Sequence, residues 1–330
     1  MVGGRAVSLK PWIDLVRPFT LLPPLLGILS GSACAWGGAH NPYASFTRDL
    51  FWTLLVASLC ASLMNAASNI INQVYDLEID RVNKPSRPLC TGQVTVRQAL
   101  WVSWVMYVLS LVPIWWVVPP PHNSGFWART TAPWHAHACF WIYLAGLLCT
   151  YIYSAPGLGR TKRLGIWANV TIAVARGELL KVAGWAMVAS AAVWEPWYLG
   201  AVFFLFLLGA SSTKDFSDME GDRLGGCRTL PIVYGPRKAA WMIAPSFVLP
   251  WLLFPLGLVL PAPGGGRLLT GSPALLLALS VALVAWGGRT VYLILRNPDE
   301  LAFTENHPSW TEMYAMMMAA QVGLGLAYLL

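Results

Sequence analysis

The sequence predicts an all-α membrane protein with about nine transmembrane helices, and three observations carry that prediction. Of 330 residues, 56% are hydrophobic and only 11% charged, whereas soluble domains run near a quarter charged. Apolar runs recur along the whole chain and stay continuous, which excludes a β-barrel with its alternating strands. Lys and Arg gather on one set of connections.

Nine runs approach the ~20 residues that cross a ~30 Å hydrocarbon core: 18–38, 50–73, 97–118, 137–154, 164–192, 197–213, 237–260, 272–295 and 310–329. Their connections leave no room for a large soluble domain, so one domain is expected over 1–330. With the N-terminus in the cytoplasm, seventeen of the 22 basic residues, beginning with Arg5, Lys10 and Arg17, fall on the cytoplasmic side. Only Arg48, Arg129 and Arg267 fall on the opposite side, a strong positive-inside bias. The net charge of +7 is therefore topological first; the lipid bilayer is the expected partner, and nucleic acid is not. The six cysteines form no CxxC pair, so neither zinc nor a disulfide is expected, and buried Cys packs as a small apolar residue.

In chain order, residues 1–17 read as an amphipathic approach to the first span, with Trp12, Ile13, Leu15 and Val16 in the interface. Arg17 fits two roles, an interfacial anchor or a cation facing a cavity. The second span carries a polar stripe, Asn65, Asn69, Asn72, Asp76 and Asp80. On a continuous helix the i, i+4, i+8 spacing of Asn72, Asp76 and Asp80 stacks them on one face. Interhelical hydrogen bonding accounts for the serines of this span, but two carboxylates at a membrane boundary require a counter-charge or a metal. Arg81, Lys84 and Arg87 follow at once.

A Pro119-Pro120-Pro121 break opens an external loop whose His122, His135 and His137 fit no metal signature and read as surface residues. The fourth span ends in Tyr153-Ser154 before Arg160, Lys162 and Arg163, either a positive-inside loop or a phosphate clamp. The fifth carries Arg176, Glu178 and Lys181. Residues two apart point about 200° apart on a helix, so Arg176 and Glu178 do not pair; Glu178 and Lys181, at i, i+3, can. Two readings stay open for these three, a structural ion pair or binding of an acceptor molecule.

The sixth span repeats the second: it runs into Lys214, Asp215, Asp218, Asp222 and Arg223, with the aspartates at i, i+3, i+7. The recurrence predicts an internal pseudo-repeat, its second half starting near residue 164, with the site between the halves. The last three spans carry little chemistry, and Asp299, Glu300, Glu305 and His307 read as a solvated cytoplasmic loop.

Two acidic groups at one membrane face repel unless a hard cation neutralises them. Mg²⁺ binds through one or two carboxylates plus substrate phosphates. Lys84, Arg87, Arg160, Lys162, Lys214 and Arg223 supply charge-assisted donors to phosphate oxygens. An apolar cavity behind such a head-group site implies a diphosphate with a hydrocarbon tail, that is, a prenyl diphosphate. Stabilising the diphosphate as a leaving group yields an allylic carbocation, which a second molecule traps when water is excluded.

The pattern Asn72-xxx-Asp76-xxx-Asp80 with Lys84-Pro85-xx-Pro88, together with Lys214-Asp215-xx-Asp218-xx-Gly221-Asp222-Arg223, resembles the UbiA superfamily of intramembrane prenyltransferases over nearly the whole chain. The resemblance implies nine helices around a central cavity with cytoplasmic cap loops, and Mg²⁺-dependent prenyl transfer from a diphosphate. It implies Asn72, Asp76 and Asp80 at one metal site and Asp218 and Asp222 at a second, with Asp215 matching a longer form of that motif. Subfamily signals divide. Asn72-Gln73 is similar to homogentisate enzymes of quinone and tocopherol pathways, while Gly221-Asp222-Arg223 through Arg228-Thr229-Leu230-Pro231-Ile232 is similar to enzymes making archaeal ether lipids. An aromatic, quinone-precursor-like or other lipophilic acceptor is expected. A glycerol-phosphate lipid, a tetrapyrrole or a carotenoid is the alternative, and a transporter the alternative outside enzymes.

Overall fold

A computed structural model describes residues 8–304 and 307–330; Arg5 and Glu305 lie outside them. The described residues form helices and turns, with one isolated antiparallel bridge between Pro261 and Arg267. A short helix α1 (Lys10–Val16) leads to Arg17, whose left-handed backbone (φ 55°, ψ 70°) turns the chain into α2 (Leu22–Gly37). The longest helix, α3 (Arg48–Tyr75), starts at Thr47, whose hydroxyl accepts from Leu50 N, and is followed by the short α4 (Leu77–Asn83). Next comes α5 (Val96–Leu111), opened by a Thr95–Gln98 capping box. The short α6 (Phe126–Thr130) precedes α7 (Ala138–Ser154).

The fifth rod is α8 (Ile166–Ala173), a π-helical turn over Val174–Glu178, and α9 (Leu179–Ala186). Then follow α10 (Trp194–Ala210), a 3₁₀ turn over Ser211–Lys214 and the short α11 (Met219–Leu224). The bundle finishes with α12 (Leu230–Ile243), kinked where Gly235 takes φ 76° ahead of Pro236, α13 (Leu253–Val259), α14 (Pro273–Arg296), α15 (Glu300–Phe303) and α16 (Pro308–Leu329).

Among the described residues, seven helical stretches are long and apolar enough to cross a membrane: Pro18–Gly37, Arg48–Tyr75, Val96–Trp116, Trp134–Ser154, Trp194–Lys214, Leu230–Val259 and Pro273–Arg296. The protein is therefore an integral membrane protein. The expected fifth and ninth spans do not meet that measure: the first carries Arg176, Glu178 and Lys181, and α16 carries Glu312 and Gln321. Both nevertheless pack along α2.

Small residues set that packing. A Cβ on Gly31 would lie 2.4 Å from the carbonyl oxygen of Lys181, and one on Gly184 2.2 Å from that of Ile28. Backbone thus rests on backbone where α2 crosses α9, as in other small-residue membrane crossings. Beside this crossing Lys181, 1% exposed, donates to Ser30 Oγ and Gln321 Oε1, with its Nζ 4.6 Å from the centre of the Phe203 ring. The Glu178–Lys181 pair that the spacing allows is not formed, because Lys181 turns to α2 and α16 while the Glu178 side chain packs by Gly200 of α10.

Two histidines also depart from expectation. His137 is fully buried, stacked 3.8 Å from Trp115, its ring nitrogens engaging the carbonyls of Trp115 and Ala132. His307 is buried at the start of α16, where its Nδ1 accepts from Ser309 N. At the end of the bundle away from the acidic motifs, Glu195 is buried at the start of α10 and accepts from Thr270 N at 2.6 Å and from the Tyr328 hydroxyl.

Candidate active site

The first acidic motif begins where α3 stops. Asp76 leaves helical geometry (φ −98°, ψ 13°) and α4 resumes after it. Asn72, Asp76 and Asp80 therefore do not share one face of a continuous helix. The ladder survives locally, since Asp76 N donates to Asn72 O and Asp80 N to Asp76 O, both at 2.8 Å. Asn72 Nδ2 donates to Asp76 Oδ2 at 3.0 Å. Arg160, itself in left-handed geometry (φ 42°), donates to Asp76 Oδ1 at 2.9 Å and to the Tyr75 carbonyl at 2.8 Å. Lys162 Nζ donates to Asp76 Oδ2 at 2.6 Å, and Arg87 pairs with Asp80.

The second motif has the same construction. After the 3₁₀ turn, Asp218 adopts φ −98°, ψ 7° and α11 starts at once, so Asp215, Asp218 and Asp222 are again not on one unbroken helix. Lys84 Nζ donates to Asp218 Oδ2 at 2.6 Å. Lys162 Nζ lies 3.3 Å from Asp222 Oδ1, an ion-pair distance, yet that oxygen is buried without a well-aligned hydrogen bond. Lys162 thus joins the two motifs.

Asn83 joins them a second time: its amide donates to Asp218 O and accepts from Gly221 N, each at 2.9 Å. A Cβ on Gly221 would sit 2.6 Å from the Asn83 amide, and one on Gly225 2.4 Å from Ile79. Glycine at these places lets α4 and α11 touch. Sequence reading missed Asn83, although an amide between two charged motifs, opposite a Gly-rich short helix, was a usable signal.

Burial pushes the Asp215 carboxyl up to about 8, reinforced by Asp222. Burial also raises Asp80 against the opposing pull of Arg87, and raises Asp222 against that of Lys162. For Lys162 burial works against the charge, but Asp76 and Asp222 outweigh it and raise its pKa.

These side chains line a cavity of about 210 Å³. Asn72, Asp76, Asp80, Lys84, Arg87, Tyr153, Lys162, Lys214, Asp215, Asp218 and Asp222 are all brought to it, with Arg17 and Arg176. Arg160 lies behind Asp76 rather than on the wall, and Arg223 is exposed outside it. The final helix contributes more than expected: Trp310, Met313, Tyr314 and Met317 face the cavity at i, i+3, i+4, i+7, a stripe legible in hindsight. A smaller chamber of about 60 Å³, lined by Ala61, Met64, Ile142, Gly146 and Ala183, adjoins it and shares Pro24, Thr150, Ala175, Arg176 and Leu180.

Among the described residues no three His, Cys, Asp or Glu side chains form a ready metal cage. The donors are nonetheless hard carboxylate oxygens, and Asp222 Oδ1 lacks a hydrogen bond. That set fits Mg²⁺, which completes its shell with phosphate and water.

An acidic, cation-lined cavity at one end of a helical membrane bundle is the kind of site an intramembrane enzyme uses. A family model described as the UbiA prenyltransferase family matches residues 24–300, and the chain belongs to that family of prenyltransferases. It is 25% identical to digeranylgeranylglyceryl phosphate synthase of Methanosphaera stadtmanae, over 75% of this chain and 78% of that protein. It is 27% identical to chloroplastic chlorophyll synthase of Arabidopsis thaliana, over 73% of this chain and 58% of that protein. It is 29% identical to the bacteriochlorophyll synthase 33 kDa chain of Cereibacter sphaeroides, over 69% of this chain and 67% of that one. A UbiA homolog from Archaeoglobus fulgidus solved with GPP and Mg²⁺ superposes with a TM-score of 0.68 at 20% identity, covering 97% of this chain and 99% of that one.

Proposed function

We propose that this protein transfers a prenyl group from a prenyl diphosphate to a lipophilic acceptor within the membrane, releasing diphosphate, with Mg²⁺ as cofactor. The observation that carries this reading is the convergence of Asp76, Asp80, Asp218 and Asp222 on one cavity, each with a cation at hand. Asp76 and Asp80, assisted by Asn72, would hold one metal; Asp218 and Asp222, with Asp215, the other. When bound, Mg²⁺ supplies positive charge to the departing diphosphate. Lys84, Arg87 and Lys162 turn from the carboxylates to the phosphate oxygens, with Lys214 beside them, and Arg160 keeps Asp76 in place. The C–O bond of the allylic diphosphate breaks with its electron pair leaving on oxygen. The acceptor's nucleophilic atom bonds to the allylic carbon and gives up its proton. Apolar and aromatic walls from Pro23, Pro24, Leu207, Trp310 and Met317 keep water from the cation.

We read α8–α9 and α16 as two further spans, making nine, and the acidic end as cytoplasmic with the N-terminus, supported by the Lys/Arg asymmetry. We also read the chain as a single domain with a pseudo-repeat starting near 164, supported by the matched backbone at Asp76 and Asp218. Among acceptors, the archaeal relative's name favours a glycerol-phosphate lipid and the plant relative's a tetrapyrrole, over the quinone precursor expected from Asn72-Gln73. The test is purified protein in lipid nanodiscs with radiolabelled geranylgeranyl or farnesyl diphosphate, Mg²⁺ and an acceptor panel. Mg²⁺-dependent diphosphate release with a prenylated product is expected; neither appearing with any acceptor sinks the reading.

A further inference from the structure

Two of the cavity's cations, Arg17 and Arg176, are in no ion pair among the described residues, and of the two Arg176 also lines the smaller chamber. It lies ten residues into the rod that starts at Ile166, about 15 Å along a helix at 1.5 Å per residue, which is about mid-depth in a ~30 Å hydrocarbon core. A π-helical turn over Val174–Glu178 presents it, and such bulges cluster at functional sites. Its side chain lines both the acidic cavity and the smaller apolar chamber, so it stands at their junction.

Among the described residues, no hydrogen bond, ion pair or ring contact engages its guanidinium. Glu178 is no counter-ion, since its side chain packs by Gly200 of α10. The charged neighbour that feels Arg176 is Arg17, a like charge whose own pKa is lowered by burial, then by Arg87 and Arg176. By contrast Lys84, Arg87, Arg160 and Lys162 each already hold an aspartate. A guanidinium inside a membrane without a protein partner is costly, and intramembrane charges otherwise pair or mark a substrate path. Its place on the smaller chamber, outside the ion pairs of the aspartates, favours an anion other than the diphosphate.

Resting on the prenyl-transfer reading, we propose that Arg176 anchors an anionic group, a carboxylate or a phosphate monoester, carried by the acceptor. The acceptor is thus an amphiphile with two polar points: the anion at Arg176 and a nucleophilic atom turned back toward the aspartates. Arg suits both anions because its planar fork donates two parallel hydrogen bonds.

The test uses the full chain in nanodiscs with geranylgeranyl diphosphate, Mg²⁺ and two matched acceptor pairs. One pair is a phenolic carboxylic acid and its methyl ester; the other is a mono-prenyl glycerol ether phosphate and its dephosphorylated diol. Wild-type protein should prefer the anionic member of one pair by about 100-fold in kcat/KM, and which pair responds identifies the anion. Arg176→Gln should raise KM for that acceptor about tenfold or more and erase the preference, leaving KM for geranylgeranyl diphosphate unchanged; Arg176→Lys should restore part of it. Equal use of charged and neutral members by the wild type overturns the proposal. So does a KM effect of Arg176→Gln that falls on the diphosphate, or diphosphate release without transfer to either anionic acceptor. Loss of all Mg²⁺-dependent diphosphate release in the wild type instead overturns the prenyl-transfer reading, and this proposal with it.

Discussion

At the first acidic motif the long helix α3 breaks at Asp76; at the second, α10 unwinds through a 3₁₀ turn before Asp218. The two aspartates end up with nearly the same backbone, φ −98° with ψ 13° in one and 7° in the other, and each is followed by a short helix carrying a second aspartate four residues on. The charges around them differ. Asp76 and Asp80 are met by guanidinium groups, Arg160 and Arg87, with Lys162 added at Asp76. The ion pairs of Asp218 and Asp222 come from Lys84 and Lys162. The second motif adds a third carboxylate, Asp215, three residues before Asp218, while Lys214 stands at the position matching Asn72. Guanidinium is a rigid fork, whereas a lysine is a point charge on a flexible stem. The first motif is therefore fixed in place, and the second is the more yielding and more acidic partner.

The sharpest way to break this comparison is to remove one carboxylate from each side. Asp76→Ala and Asp218→Ala should each reduce diphosphate release by about 10³-fold or more, the scale of losing a charge-stabilising group from an active site. Both variants should remain folded by size-exclusion and thermal melting. A wild-type rate in either would show that its motif is dispensable.

Next in size is the shared lysine. Lys162→Met should lower kcat/KM for the prenyl diphosphate by about 100-fold. In the absence of diphosphate it should tighten Mg²⁺ binding by about tenfold, measured by calorimetry, because the metal no longer competes with an internal cation. Weaker Mg²⁺ binding would mean that Lys162 organises the aspartates rather than occupying them.

A smaller effect is expected from Gly221→Ala, which drives a Cβ to 2.6 Å from the Asn83 amide. Overpacking of that kind costs about 1–3 kcal/mol, read as a lower Tm, with Asn83→Ala in the same chain relieving part of it.

The smallest separates Asn72 from Asp215. Asp215 is held neutral up to about 8, and a carboxylate binds Mg²⁺ only when ionised. Apparent Mg²⁺ affinity should therefore climb with pH up to about 8 and level off above it, by at most about tenfold per unit. Asp215→Asn should flatten that slope; an unchanged slope would assign the titration elsewhere.

Much of this was legible in the sequence because membranes make polar residues conspicuous. Asp76, Asp80, Asp218 and Asp222 stood out against apolar runs, as did the basic residues clustered beside them. The helix breaks were not legible: neither Asp76 nor Asp218 is flanked by Gly or Pro, so nothing local announces a bend, and only the packing of α4 on α11 reveals why it is there. The partners of Lys181 were hidden for a related reason. Its nearest acidic residue in sequence was Glu178, but its partners, Ser30 and Gln321, sit on helices more than a hundred residues away. His137 looked like a loop residue, yet tertiary stacking on Trp115 buries it.

The pairing of four carboxylates, Asp76, Asp80, Asp218 and Asp222, with four cations, Lys84, Arg87, Arg160 and Lys162, makes this part of the head-group site an internal salt, with Lys214 as a further cation on the same wall. A lone metal ion adds uncompensated positive charge to such a site, and a lone diphosphate adds uncompensated negative charge. Arriving together they exchange partners with the internal salt and leave the total little changed. Each component of the substrate pair thereby raises the affinity of the other.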